Sequence, residues 1–115
     1  MSIYMLQDAY TAQAWQNLVT RPEDRRVAIG GVVKAAGGRL LDLYFVFGEN
    51  DLVAIFEAPD PISAAAVSVA ANIAGHVKTI KTTQLLTVED SLELMRRTAS
   101  LGPAQPPAGA SGIRS

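Results

Sequence analysis

Hydrophobic spacing changes rhythm several times along this chain, and the changes mark its elements. Ile3-Tyr4-Met5-Leu6 is a short apolar run rich in strand formers. From Thr11 to Val19 the spacing turns helical, with Thr11 as cap and Trp15, Leu18 and Val19 on one face. Pro22 opens a second helix at the favoured first position, with Glu23 and Asp24 in its first turn. Ile29, Val32, Val33 and Ala36 then recur at helical intervals. Gly30 and Gly31 interrupt that pattern at about 1 kcal/mol each relative to Ala, which predicts a close approach of helix to sheet. Gly37-Gly38 stops the helix, one glycine supplying a left-handed cap.

Two strands follow, joined by the turn Gly48-Glu49-Asn50-Asp51, whose residue types tolerate tight geometry. In the first strand Leu41, Leu43, Phe45 and Phe47 share one face, and Leu40, Asp42, Tyr44 and Val46 the other. The second runs from Leu52 to Glu57, and the pair reads as an antiparallel hairpin. Asp60-Pro61 starts a helix as cap and first residue. Its predicted buried stripe is Ile62, Ala65, Ala66, Val69 and Ile73, and Gly75 ends it. Val77 to Leu86 is a last strand, and Val88 to Ala99 an amphipathic helix with Leu92, Met95 and Leu101 facing in. Residues 1–101 form the predicted domain, and the Pro-, Gly-, Ala- and Ser-rich residues 102–115 a flexible tail.

The order β-α-β-β-α-β plus a C-terminal helix predicts an α+β fold of the ferredoxin-like kind, an antiparallel sheet with helices on one face. Large apolar residues on both faces of the central strands need cover on both, since burying each is worth about 1.5–3 kcal/mol. A second copy packed sheet against sheet supplies that cover and makes a dimeric α/β barrel. A homodimer or larger homo-oligomer is therefore the expected partner state.

Composition narrows the function more than it defines it. Of 115 residues, 49% are hydrophobic and only 18% charged, which suits a chain that buries surface against another. The net charge of -1 offers no basic footprint, so no nucleic-acid partner is expected. There is no cysteine, which removes disulfides, thiolate catalysis and thiolate metal sites. One histidine without such partners makes no metal site, so neither metal nor cofactor is expected. The start of the chain does not read as a signal peptide, and no apolar run suits a membrane span; a cytoplasmic protein is the expectation.

The glycine pair, Tyr44, Phe47-Gly48-Glu49-Asn50-Asp51, Glu57-Ala58-Pro59-Asp60 and Gly75-His76-Val77-Lys78-Thr79 together resemble the GYD domain family, over most of residues 1–87. The resemblance implies membership of the dimeric α/β barrels, a group that includes cofactorless monooxygenases, isomerases, haem-degrading proteins and ligand sensors. The family as such implies no one reaction. Its Gly-x-Tyr-Asp signature stands here as Gly48-Glu49-Asn50-Asp51, with Asn in place of Tyr, and Lys78 stands where the family often has Arg.

Several residues are candidates for chemistry. His76 reads as a solvated group at a helix end, or else as a general base or haem ligand. Asp51 and Glu57 bracket a strand; Glu57 pairs with a neighbouring cation or faces the space between sheets. Asp42 and Tyr44 share a strand face, with Tyr4 expected to line the same side of the sheet, where an Asp–Tyr set would orient a small aromatic ligand. The charged cluster Arg21, Glu23, Asp24, Arg25 and Arg26 reads as a solvated face. Three functions follow. The first is binding of a small hydrophobic or aromatic molecule in the barrel, by Asp42, Tyr44, Asp51 and Glu57. The second is cofactorless oxygenation or isomerisation, with Tyr44, Asp51 or His76 moving a proton. The third is a structural or regulatory oligomerisation module.

Overall fold

The structure is a computed structural model, which describes residues 1–102; the expected tail lies, but for Gly102, outside the described residues. The described chain divides into two units, Met1–Leu85 and a second that begins at Leu86. In the first, β1 (Ser2–Tyr10) is followed by α1 (Ala12–Thr20), α2 (Arg25–Ala35), β2 (Arg39–Phe45), β3 (Leu52–Ala58), α3 (Pro61–Ile73) and β4 (Val77–Leu85). The strands form one antiparallel sheet in the order β2-β3-β1-β4. This is the expected ferredoxin-like plan, with the central strands β1 and β3 adjacent and the helices on one face.

Side-chain oxygens start each helix. Thr11 Oγ1 accepts from the Ala14 N–H at 3.0 Å, and Asp60 Oδ1 from the Ser63 N–H at 2.7 Å. In α2 the cap is Asp24, which accepts from the Arg26 N–H at 3.0 Å; Pro22 and Glu23 precede the helix instead of opening it. Gly37 takes the left-handed cap, at φ +89°. Gly38 sits so tightly that an added Cβ would lie 1.9 Å from the Glu57 carbonyl oxygen. Gly30 and Gly31 do not carry the expected close approach. A Cβ on Gly30 would make ordinary contact with Leu40 at 3.7 Å, and one on Gly31 would meet nothing within 4 Å.

The core lies between sheet and helices. Alternation puts Tyr4, Leu6 and Asp8 of β1 and Leu52, Ala54, Phe56 and Ala58 of β3 inward; Tyr10 follows in the core past a register shift at Ala9, which is buried as well. Tyr4 thus belongs to the helix side and stacks on Phe56 at 5.6 Å between ring centres, not to the outer face expected for it. The expected division of β2 also shifts. An irregularity between Leu40 and Asp42 lets Leu40 pair with Phe56 while Asp42 pairs with Ile55. The extra residue turns Leu40 onto the core side with Leu43 and leaves Asp42 and Tyr44 outside.

Helix faces differ from expectation as well. Ala64 and Val67 are the buried residues of α3, whereas Ile62 and Ile73 are 82% and 78% exposed. Every face of this helix is apolar or small, so periodicity alone has nothing to choose between. In α1 the buried residue is Ala14, and Val19 is exposed.

The second unit contains α4 (Val88–Ser100), opened by a capping box between Thr87 and Asp90. Glu93 pairs with both Arg96 and Arg97 along its surface. None of its residues is buried, and Leu92, Met95 and the following Leu101 are exposed, contrary to the inward stripe expected. No described helix is long and apolar enough to cross a membrane.

Candidate functional site

The outer face of the sheet carries most of the site residues expected from sequence. Pairing arranges it in rows: Leu85, Ile3, Glu57, Arg39; then Thr83, Met5, Ile55, Asp42; then Lys81, Gln7, Val53, Tyr44. The middle is apolar and half-buried, and no element of Met1–Leu85 lies over it. Asp42 and Tyr44 share this face as expected, with Tyr44 61% exposed. Glu57 takes the plainer of its two roles, an ion pair with Arg39 at 3.0 Å. Asp51 joins none of these. It closes the hairpin turn onto β1: its carboxylate accepts from the Tyr10 N–H at 2.8 Å, and its own N–H donates to the Asp8 carbonyl at 2.8 Å.

What Asp51 fastens is a different site, on the helix side of the sheet. Asp8 is only 3% exposed, the one buried charged residue among those described. Its Oδ1 has no hydrogen-bond partner among the described residues, and neither have the Tyr10 hydroxyl and Arg25 Nε. The residues that carry these atoms line a cleft of about 190 Å³ under α2 and α3. Its walls are otherwise apolar, from Leu6, Ile29, Val67, Ala71 and Val77 among others, with His76 at the edge. A larger, more polar cleft of about 500 Å³ beside α1 shares Tyr10, Arg25 and His76 with it. The two spaces therefore meet at these three residues.

Electrostatics follow from this burial. Desolvation pushes the Asp8 carboxyl from 3.8 to about 6; Arg25 works against that rise and Asp51 adds to it. Burial also raises the Tyr10 phenol, again opposed by Arg25, so it stays a proton donor at neutral pH. For Arg25 the burial that disfavours its charge is outweighed by its ion pair with Glu23 and by Tyr10. Trp15 and Phe45 pack around Tyr10 at 5.5 and 6.2 Å between ring centres and fix its ring.

Of the expected site residues, only His76 lines this cleft, and Asp51 supports it through backbone bonds. Asp8, Tyr10 and Arg25 were not expected. Arg25, read as part of a solvated charged face, has a side chain only 16% exposed. The signal that finds Asp8 is the alternation Tyr4, Leu6, Asp8, Tyr10, which places a carboxylate at an inward position once β1 runs to Tyr10. Among the described residues there is no group of three or more His, Cys, Asp or Glu able to hold a metal ion.

Fold and cleft together define a ferredoxin-like α+β domain with a buried carboxyl in a helix-side cavity. The chain belongs to the GYD domain family, whose family model matches residues 4–95. Among solved structures it is similar to the 30S ribosomal protein S6 of Thermotoga maritima, at 16% identity and a TM-score of 0.52, covering 86% of this chain and 97% of that one. It is also similar to a crystallised protein of Thermus thermophilus, at 17% identity and a TM-score of 0.50, covering 76% of this chain and 96% of that one. At such identities the likeness shows the fold. No curated protein matches.

Proposed function

We propose that this protein binds a small amphipathic molecule in the helix-side cleft and works as a homodimer joined through the outer sheet face. The observation that carries the binding reading is Asp8. A carboxyl at 3% exposure, with an oxygen unpaired among the described residues, costs about 1–3 kcal/mol if nothing else uses it. A ligand donating a hydrogen bond to Asp8 and accepting from Tyr10 or Arg25 removes that cost. The cavity of about 190 Å³ lies below the usual range for drug-sized ligands, so the inner portion is a small ring or short chain. Its polar end reaches the larger cleft past Tyr10, Arg25 and His76.

The dimer reading is supported by the apolar rows Leu85–Ile3 and Met5–Ile55 with Val53 beside them. Copies meeting there enclose Asp42 and Tyr44, the residues first expected to orient a ligand. Fragment screening by two-dimensional amide NMR tests the binding site. Perturbations are expected at Asp8, Tyr10, Arg25 and His76, and to vanish for that fragment in Asp8→Asn. Perturbations confined to Met5, Tyr44 and Ile55 would move the site to the space between sheets. A library without any binder would refute the binding reading. Native mass spectrometry tests the dimer, which Ile55→Lys is expected to split; a monomeric wild type would refute it.

A further inference from the structure

We infer that the helix-side cleft takes an enolisable carbonyl compound and that Asp8 moves a proton at the carbon next to its carbonyl, with Tyr10 and Arg25 holding the carbonyl oxygen. This rests on the binding reading above and gives it a substrate class. The argument is one of elimination among the side chains that line the cavity. They include one carboxyl, one phenol, one guanidinium and one imidazole, and no serine, threonine, cysteine or lysine. Covalent attack by an aliphatic hydroxyl, a thiol or an amine therefore has no agent on this wall. A buried carboxyl with a free oxygen, in apolar surroundings shared with the Tyr10 hydroxyl and the Arg25 Nε, neither of which has a hydrogen-bond partner among the described residues, is the equipment of proton transfer with charge building on oxygen.

The step balances without a further reactant. The Asp8 carboxylate takes the proton from the α-carbon. The C–H pair becomes the C=C of an enolate, and the carbonyl π pair moves to oxygen, where the Tyr10 hydroxyl and Arg25 donate to it. The protonated Asp8 returns the proton to the same carbon, giving exchange, or to a conjugated carbon further along, giving isomerisation. A carboxyl that titrates near 6 is ionised at neutral pH yet more basic than an ordinary aspartate. The apolar walls keep water from competing for the charge.

Groups that face Asp8 set its titration. Tyr10 comes from its own strand, Arg25 from α2 and Asp51 from the hairpin turn; His76 lines the cleft ahead of β4, and α3 contributes only Val67 and alanines. Asp8, Tyr10 and Arg25 are catalytic residues under this inference. Asp51 is a positioning residue, acting through the backbone of both.

The test is deuterium exchange at the α-carbons of two probes, 2-tetralone and cyclohex-3-enone, followed by proton NMR in heavy water. The wild type is expected to exceed Asp8→Asn by at least about tenfold, within what general-base catalysis commonly supplies. The rate should rise with pH through about 6 as Asp8 ionises. Tyr10→Phe should slow exchange while leaving the midpoint in place, and serves if Asp8→Asn does not fold. Exchange equal in wild type and Asp8→Asn, or a flat pH profile, would overturn the inference. If amide shifts show a probe in the cleft but exchange stays at the buffer rate, proton transfer falls and the binding reading stands. If neither probe shifts the cleft amides nor exchanges, proton transfer falls as well; the binding reading is decided separately by the fragment screen.

Discussion

Replacing Asp8 by Asn should change how stability responds to pH, because the wild-type carboxyl ionises against its surroundings. In the unfolded chain it titrates at 3.8, and in the folded protein at about 6. Between those values the folded state holds a proton that the unfolded state has lost, so stability falls as pH rises across this window. Below about 3.8 the carboxyl costs nothing extra, and above about 6 the full penalty is present. At about 1.4 kcal/mol per unit, the rise amounts to about 3 kcal/mol, and to about 1.5–3 once screening through the cleft mouth is allowed for. Asn carries no charge and has no such window. Urea unfolding of both proteins at pH 4 and pH 7.5 checks this. Asp8→Asn should gain about 1.5–3 kcal/mol on the wild type between the two pH values, whatever its offset from repacking. A difference between the proteins that does not change with pH would show Asp8 to be solvated or paired, and would remove the physical basis for the site.

Three further outcomes follow from particular contacts. Asp51→Asn keeps an acceptor for the Tyr10 N–H but removes a like charge, so Asp8 should titrate lower, whereas Arg25→Gln should raise it; carbon-detected NMR of the Asp8 carboxyl reads both, and a shift of opposite sign in either would refute the assignment. Gly38→Ala forces a Cβ against the Glu57 carbonyl and should cost about 3 kcal/mol or more in urea unfolding, with an unchanged midpoint counting against the tight α2–β3 corner. Gly31→Ala lies in a helix with open space around it and should stabilise by about 0.5–1 kcal/mol; destabilisation would reveal a packing role that the contacts do not contain.

The framework was legible because strong punctuation marks it. Thr11, Gly37-Gly38 and Asp60-Pro61 fall at element boundaries, and the order of strands and helices between them follows. What remained hidden were facing and register. The irregularity at Leu40–Asp42 leaves no mark in composition, yet it transfers Leu40 from one face of β2 to the other. α3 is so uniformly small and apolar that Ala64 and Val67 are selected by the sheet beneath, through tertiary contact and not by pattern. The cleft was missed for a related reason. Ending β1 at Leu6 removes Asp8 and Tyr10 from the alternation, and a charged cluster looks solvated until one knows that Arg25 points inward.

The family signature gains a physical meaning from the same geometry. In Gly48-Glu49-Asn50-Asp51, Gly48 adopts φ +137°, which a side chain would resist, and so allows the chain to turn back. Asp51 then bonds across to the end of β1 with both its carboxylate and its N–H. These bonds reach Tyr10 and Asp8, the two polar strand residues that line the cleft. Neither bond involves the side chain of Asn50, so the exchange of tyrosine for Asn leaves the fastening intact. The turn and the cleft are far apart in sequence, 41 residues for Tyr10 and Asp51, and the antiparallel pairing of β1 with β3 is what joins them. A charge at position 51 does two things at once under this arrangement. It holds the strand end in place, and by repulsion it adds to the rise that burial imposes on the Asp8 carboxyl. Losing the acceptor would loosen the cleft, while losing only the charge would leave the shape and weaken the base, so Asp51→Ala and Asp51→Asn separate positioning from electrostatics at a single residue.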